Sequence, residues 1–352
     1  VTLIPATAFD TVIDGGNVSL YTLRAGDIIM QMTNFGGRVV ALWTPDREGK
    51  YRDIALGLPA IADYTQANGE RFLGPVVGRY ANRIAGGRFT LDSVEYVLPQ
   101  NNNGQTLHGG LKGLDMVAWN VDSLTDNSIA LSYLSPDGAD GFPGNLSLKM
   151  VYTLTPNNDF QITYQARTDK PTVVNLSHHG FFNLHGEGNG STNDHVLTIN
   201  GSAIVPVNEV RIPTGELMPV EGTPFDFRQP HVIGERIGED HEQLKMGMGY
   251  DHNWVLDRKS AGDKEFAAKL YEPSNGRTVE VWTDQPGIQF YSGNFFNGAT
   301  TGKHGQPHRW REGVALETQK FPDSPNQPQF PSTRLDPGET YTQVCVYHFG
   351  AE

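Results

Sequence analysis

Apolar and polar residues alternate with a period of two along much of the chain. The clearest case is Leu146, Leu148, Met150, Tyr152 and Leu154, interleaved with Ser147, Lys149, Val151 and Thr153. Successive side chains of an extended chain face opposite sides, so this spacing predicts a strand with one buried face. Residues 160–167 repeat the alternation after the turn Thr155-Pro-Asn-Asn-Asp159, which predicts a hairpin. The same rule predicts strands at 18–23, 28–32, 38–43, 88–97, 129–133, 196–199, 278–282, 288–292 and 340–349. Helical periodicity is confined to 61–67 and 232–236, both too short to build a helical layer. There is no βαβ alternation, fixed-period repeat or low-complexity linker, so the expected fold is all-β: one large single-domain antiparallel β-sandwich over residues 1–352. Loops between strands would carry the site.

Composition fits this picture. The 352 residues include 40 Gly, 22 Pro, 17 Phe, 13 Tyr and 5 Trp, which suits a turn-rich β protein with much to bury. A formal charge of −13 argues against a nucleic-acid or anionic-membrane partner, since either needs a concentrated basic surface. The sole cysteine, Cys345, excludes an internal disulfide and a cysteine-based zinc site, and it reads as a small strand residue. No apolar stretch approaches the roughly 20 residues of a membrane helix. Asn-x-Ser tripeptides at Asn17, Asn145, Asn175, Asn189 and Asn200 add little, because such triplets arise by chance.

Candidate chemistry centres on residues 174–184, Val-Asn-Leu-Ser-His-His-Gly-Phe-Phe-Asn-Leu. If extended, it turns His178 and His179 to opposite faces, so that one serves a cavity and the other supports it. The plain alternative is two interior histidines. Polar groups also gather in Gly78-Arg-Tyr-Ala-Asn-Arg-Ile84, Gln105-Thr-Leu-His-Gly-Gly110, Gly249-Tyr-Asp-His-Asn-Trp254, Gln285-Pro-Gly-Ile-Gln-Phe-Tyr291 and Val314-Ala-Leu-Glu-Thr-Gln319. In the last segment Glu317 shares a face with Ala315 and Gln319, and a carboxylate among apolar neighbours is costly to bury unless it has a partner or a task. A surface glutamate is the alternative. Arg83 and Asp251 would equally make a structural ion pair, His108 a turn histidine, and His252 a supporting partner. There is no Gly-x-Ser-x-Gly, Walker loop or Gly-x-Gly-x-x-Gly, and no His-Glu-x-x-His among the 11 histidines.

Taken together, the segments resemble the aldose 1-epimerase (galactose mutarotase) family, from about Asn34 to His348. The resemblance rests on Asn-Arg-Ile, Leu-His-Gly-Gly, Asn-Leu-x-x-His-x-x-Phe-Asn-Leu, Tyr-Asp-His-Asn, Gln-Phe-Tyr-x-Gly-Asn and Leu-Glu-Thr-Gln in that order. It implies a one-domain β-sandwich that interconverts the α and β anomers of free aldohexoses without a cofactor or metal. It makes His179 and Glu317 catalytic, and it gives Asn82, Arg83, His108, Asp251 and Gln289 the sugar hydroxyls. Two positions depart from the family pattern: Phe181, where tyrosine is common, and Phe321, where some members carry tryptophan and which would shrink an apolar platform.

Opening a pyranose removes the anomeric hydroxyl proton and delivers one to the ring oxygen, so a base and an acid must flank C1 and O5. Glu317 is the expected base and a protonated His179 the expected acid, with Asp251 or Glu317 favouring the imidazolium. The expected partner is a small aldose, with no nucleic acid or membrane, and the chain is expected to be a monomer or weak homodimer. The family is often cytoplasmic, whereas a start at Val1 would suit a processed, exported chain. Alternatives are a hexose-6-phosphate 1-epimerase, which would want an Arg and Lys cluster, a non-catalytic carbohydrate-binding protein, and a glycosidase, which commonly pairs two carboxylates.

Overall fold

The computed structural model describes residues 1–66 and 70–352. Three antiparallel sheets dominate. The largest has nine strands in the order Asn120–Leu124, Ser128–Ser135, Leu146–Leu154, Asp159–Thr168, Tyr341–Ala351, Arg277–Thr283, Glu265–Tyr271, Val196–Ile199 and His231–Val232. A six-stranded sheet runs Phe181–Phe182, Val314–Gln319, Gly287–Tyr291, Asp251–Leu256, Gly201–Val205, Met218–Pro219, and a four-stranded one joins Leu20–Ala25, Ile28–Thr33, Arg38–Pro45 and Tyr51–Asp53. One apolar cluster draws on all three, from Leu23 and Met30 through Met150, Trp254 and Leu316 to Phe349, which makes the architecture a β-sandwich.

The alternating pattern decides which faces are buried. Leu146, Leu148, Met150, Tyr152 and Leu154 are all buried while Ser147 and Lys149 are exposed, and the strand pairs in register with Asp159–Thr168 across the expected turn. Each fully buried side chain of this kind contributes about 1.5–3 kcal/mol relative to leaving it exposed. Cys345 lies in the same core, and burial pushes its thiol up to about 12, so it behaves as a small apolar residue.

Several expectations shift at their edges. The run 88–97 is two strands, Arg88–Leu91 and Val94–Val97, because Asp92 (φ 49°) and Ser93 (φ 65°) form the left-handed pair of a tight hairpin. The run 18–23 breaks after Val18 and resumes at Leu20. The helix expected at 61–67 covers Ile61–Thr65, and Ala67 lies outside the described residues. The helix Glu242–Gly247 had no periodic signal, being little more than one turn, and the His241 ring caps it by accepting the Gln243 N–H.

Residues 174–184 do not form one strand. Ser177–His178 pairs with Val76–Val77, then the chain changes partner and Phe181–Phe182 pairs with Val314 and Ala315. Gly180 permits the switch, since a Cβ there would stand 2.8 Å from His178 Nε2. His179, at the switch, is pinned by its backbone: its N–H donates to Pro75 O (2.8 Å) and its carbonyl accepts from Gly74 N–H (2.9 Å).

Candidate active site

The alternation of the two histidines holds. His178 enters the core edge-on to Tyr152, Phe160 and Tyr347, whereas His179 faces a cleft of about 530 Å³. Three adjacent strands of the six-stranded sheet bring Glu317, Gln289 and Asp251 to this region. Gln289 pairs directly with Glu317, and Asp251 lies one strand further and two residues along from Asn253, the partner of Gln289. Asn82 and His108 arrive on loops and Arg83 on the short strand Arg83–Ile84, and all three line the cleft with His179, Glu317 and Asp251.

Two loop residues sit in the left-handed region, Asn82 at φ 64° and His108 at φ 50°, and they hold each other. The Asn82 N–H donates to His108 Nδ1 (3.0 Å), and the His108 N–H donates to Asn82 O (3.0 Å). Accepting at Nδ1 places the His108 proton on Nε2, so a neutral His108 can only donate from that atom. Burial, with His179 and Arg83 adding to it, pulls His108 well below the usual histidine value and keeps it neutral.

His179 Nε2 is 3.3 Å from Glu317 Oε1, with the side chains 6% and 2% exposed. The two groups are in contact without a hydrogen bond, and Glu317 Oε1 and His179 Nδ1 have no partner among the described residues. Buried polar atoms left unpaired are rare and call for a task. Aromatic neighbours fix the imidazole: Phe72 stacks at 5.9 Å, Phe181 packs at 4.9 Å, and His108 meets it edge-on at 5.0 Å. Phe181 gives the imidazole an apolar wall.

Protonation differs from the sequence expectation. Burial pulls His179 down to about 3, so its resting form is the neutral imidazole rather than the imidazolium. Burial, with Asp251 adding to it, pushes Glu317 well above the usual carboxylate value, so the carboxyl group retains the proton. The pair still holds one transferable proton, but on the opposite partner. His108, His179 and Glu317 place ligand atoms within 4.8 Å of one another. With its proton on Nε2, His108 offers no lone pair there, and the trio suits a neutral hydroxylated substrate better than a cation.

Other expected residues sort themselves by contact. Arg83 makes no ion pair with Asp251; it donates to Asn102 Oδ1 from Nε (3.4 Å) and Nη2 (3.3 Å). Gln289 does not line the cleft but stands behind Asp251, donating Nε2 to Oδ1 (2.9 Å), and Gln319 in turn donates to Gln289 (3.3 Å). His252 is fully buried and accepts the Asp251 N–H (3.1 Å), so it supports that residue from below. Phe321 packs with Phe330 and Val205 away from the cleft, so it is no platform for a sugar. Sequence reasoning missed Phe72, Arg71, Asn102, Arg211 and Phe295, which line the cleft from loops that carry no period and belong to no quoted motif.

Comparison with known proteins assigns the chain to a family. The family profile described as aldose 1-epimerase matches residues 19–348. Rat galactose mutarotase is 42% identical over 335 residues, covering 95% of each chain. Aldose 1-epimerase of Escherichia coli K12 is 38% identical, covering 96% of this chain and 97% of the relative. Among solved structures, an aldose epimerase homologue from C. elegans superimposes with a TM-score of 0.87 at 28% identity, covering 95% of this chain and 99% of that one. Galactose 1-epimerase of Lactobacillus acidophilus gives 0.83 at 27% identity, covering 97% of each. With the family profile spanning nearly the whole chain and relatives this similar over their full length, the chain is a member of the aldose 1-epimerase family.

Proposed function

We propose that the cleft binds a free aldose such as galactose or glucose and interconverts its anomers, with Glu317 and His179 as the proton-transfer pair. The observation that carries this reading is the buried, unbonded contact between His179 Nε2 and Glu317 Oε1 at 3.3 Å, with Glu317 Oε1 and His179 Nδ1 left without partners among the described residues. One proton is enough for the whole cycle. In ring opening Glu317, as carboxylate, takes the O1 proton, the C1–O5 bond breaks to give the C1 aldehyde, and protonated His179 supplies the proton to O5. Glu317 is then protonated and His179 neutral, the state that burial favours in the empty cleft. Rotation about C1–C2 presents the other carbonyl face, and closure returns both protons by the reverse transfers. To begin a cycle, the proton passes from Glu317 to His179 across their contact, and the sugar O1–H beside Glu317 stabilises the carboxylate that results.

His108, donating from Nε2, and Arg83, which stays cationic, orient hydroxyls and stabilise the ring oxygen as it is released. Asp251, backed by Gln289 and His252, accepts from hydroxyls further along the ring. The wild-type protein should speed the optical-rotation decay of freshly dissolved α-D-galactose to the unchanged final value. It should leave methyl α-D-galactoside untouched, because that sugar has no O1 proton to remove. Release of methanol from the glycoside would identify a glycosidase, and acceleration restricted to hexose 6-phosphates would identify the phosphosugar reading.

A further inference from the structure

Arg211 lines the cleft beside Asp251, and the pair chemistry gives it no role. Its side chain is 10% exposed, yet the guanidinium donates no hydrogen bond among the described residues, and its Nε is buried without a partner. The nearest carboxylate oxygen, Asp251 Oδ2, is 4.0 Å from Nε, too long for a hydrogen bond. Two features hold the group in place. The guanidinium carbon lies 4.7 Å from the centre of the Phe295 ring. The backbone is a closed turn in which Asn208 O accepts the Arg211 N–H and Asn208 Oδ1 accepts the Ile212 N–H, with Arg211 itself at φ 62°. A non-glycine residue in the left-handed region is uncommon and persists where the surroundings fix it.

The position of Arg211 relative to the pair gives it a meaning. Glu317, Gln289 and Asp251 lie on three successive strands, so Asp251 is about 10 Å across the sheet from Glu317. A pyranose whose C1 and O5 sit at His179 and Glu317 therefore points its opposite edge, carrying O3 and O4, at Asp251 and Arg211. A carboxylate acceptor beside a cationic donor matches a pair of vicinal hydroxyls, each of which can both donate and accept. We infer that Arg211 is a specificity-determining residue of the cleft, donating hydrogen bonds to the hydroxyls at the far edge of the sugar, O3 and O4.

The inference rests on the mutarotase reading, and its test separates the two. Mutarotation is measured for wild type, Arg211→Met and Arg211→Lys with D-galactose, 6-deoxy-D-galactose, 4-deoxy-D-galactose and 3-deoxy-D-galactose. Arg211→Met should lower kcat/KM for galactose and the 6-deoxy sugar by roughly ten- to a hundredfold, mainly through KM, as loss of a charge-assisted hydrogen bond does. For the 3-deoxy and the 4-deoxy sugars the loss should be several-fold smaller than for galactose, since one of the two partner hydroxyls is already gone. Arg211→Lys should recover part of the galactose activity. An equal loss with all four sugars, or no loss with galactose, would overturn the inference while leaving the mutarotase reading intact. Inactivity of the wild-type protein with every sugar would instead remove the reading on which it rests.

Discussion

At the residue scale the central feature is a pair whose burial reverses the usual places of the proton. In the proposed mechanism the free enzyme with one proton on the pair is the active form, and a second proton must go onto His179. Because burial holds that group near 3, the acid limb of kcat/KM should lie well below pH 5. The basic limb follows loss of the Glu317 proton, at a value raised above that of an ordinary carboxylate. Initial rates corrected for buffer catalysis measure both limbs, and an acid limb near 6 would show that His179 titrates as an ordinary imidazole. His179, Glu317, Asn82, Arg83, His108 and Asp251 were legible through the family resemblance that their motifs carry, since the residues alone left plainer readings open, and the structure brings all six to one cleft. Gln289 was legible as a polar strand residue, but its depth behind Asp251 follows from cross-strand register, which no local pattern encodes. Arg211 and Phe72 were not legible, since their loops reach the cleft only through tertiary packing.

At the scale of elements, the loop around residues 299–308 is anchored by charge rather than by apolar burial. Lys303 Nζ lies 3.3 Å from both Asp53 Oδ2 and Glu187 Oε2 and donates to Ala55 O (2.6 Å), with all three charged side chains 1–2% exposed. His308 adds a 2.8 Å contact to Glu187 Oε1. Replacing Lys303 by methionine leaves Asp53 and Glu187 with only His304 (3.1 Å from Asp53) and His308 as partners, so unfolding free energy should fall by about 3 kcal/mol in urea titration. A change under about 1 kcal/mol would show that the two histidines compensate for the lost ammonium. Nothing in the sequence links Asp53, Glu187 and Lys303, which are far apart along the chain. By contrast Leu146–Leu154 and Val196–Ile199 have the bounds their pattern gives, because one face of each is core and the other is not. The 174–184 run misled because apolar residues buried on both sides of a partner switch look like a continuous strand.

At the scale of the whole molecule we propose one cooperative domain, supported by a single apolar cluster that runs from Leu23 to Phe349. Its stability should depend on acid through histidines buried neutral away from the reaction. His178 and His252 are both pulled to about 3 by burial, below an unfolded value near 6.5. The unfolded chain therefore takes up protons first, and stability is lost as pH falls from about 6.5 towards 3. Each group accounts for about 2 kcal/mol between pH 6.5 and 5. Glu317, shifted the other way by burial, opposes part of this loss. One urea transition should move to a lower midpoint on going from pH 6.5 to 5, and His178→Leu should flatten that slope. Two separated transitions would contradict a single domain. The most direct test of the proton-transfer pair is polarimetry of α-D-galactose in weakly catalytic buffer with wild type, Glu317→Gln, His179→Gln and the double variant. Each single substitution should lower the rate by about 10²- to 10⁴-fold, and the double variant should lose little more than either, as residues acting as a unit do. Wild-type acceleration that survives both substitutions would contradict the assignment.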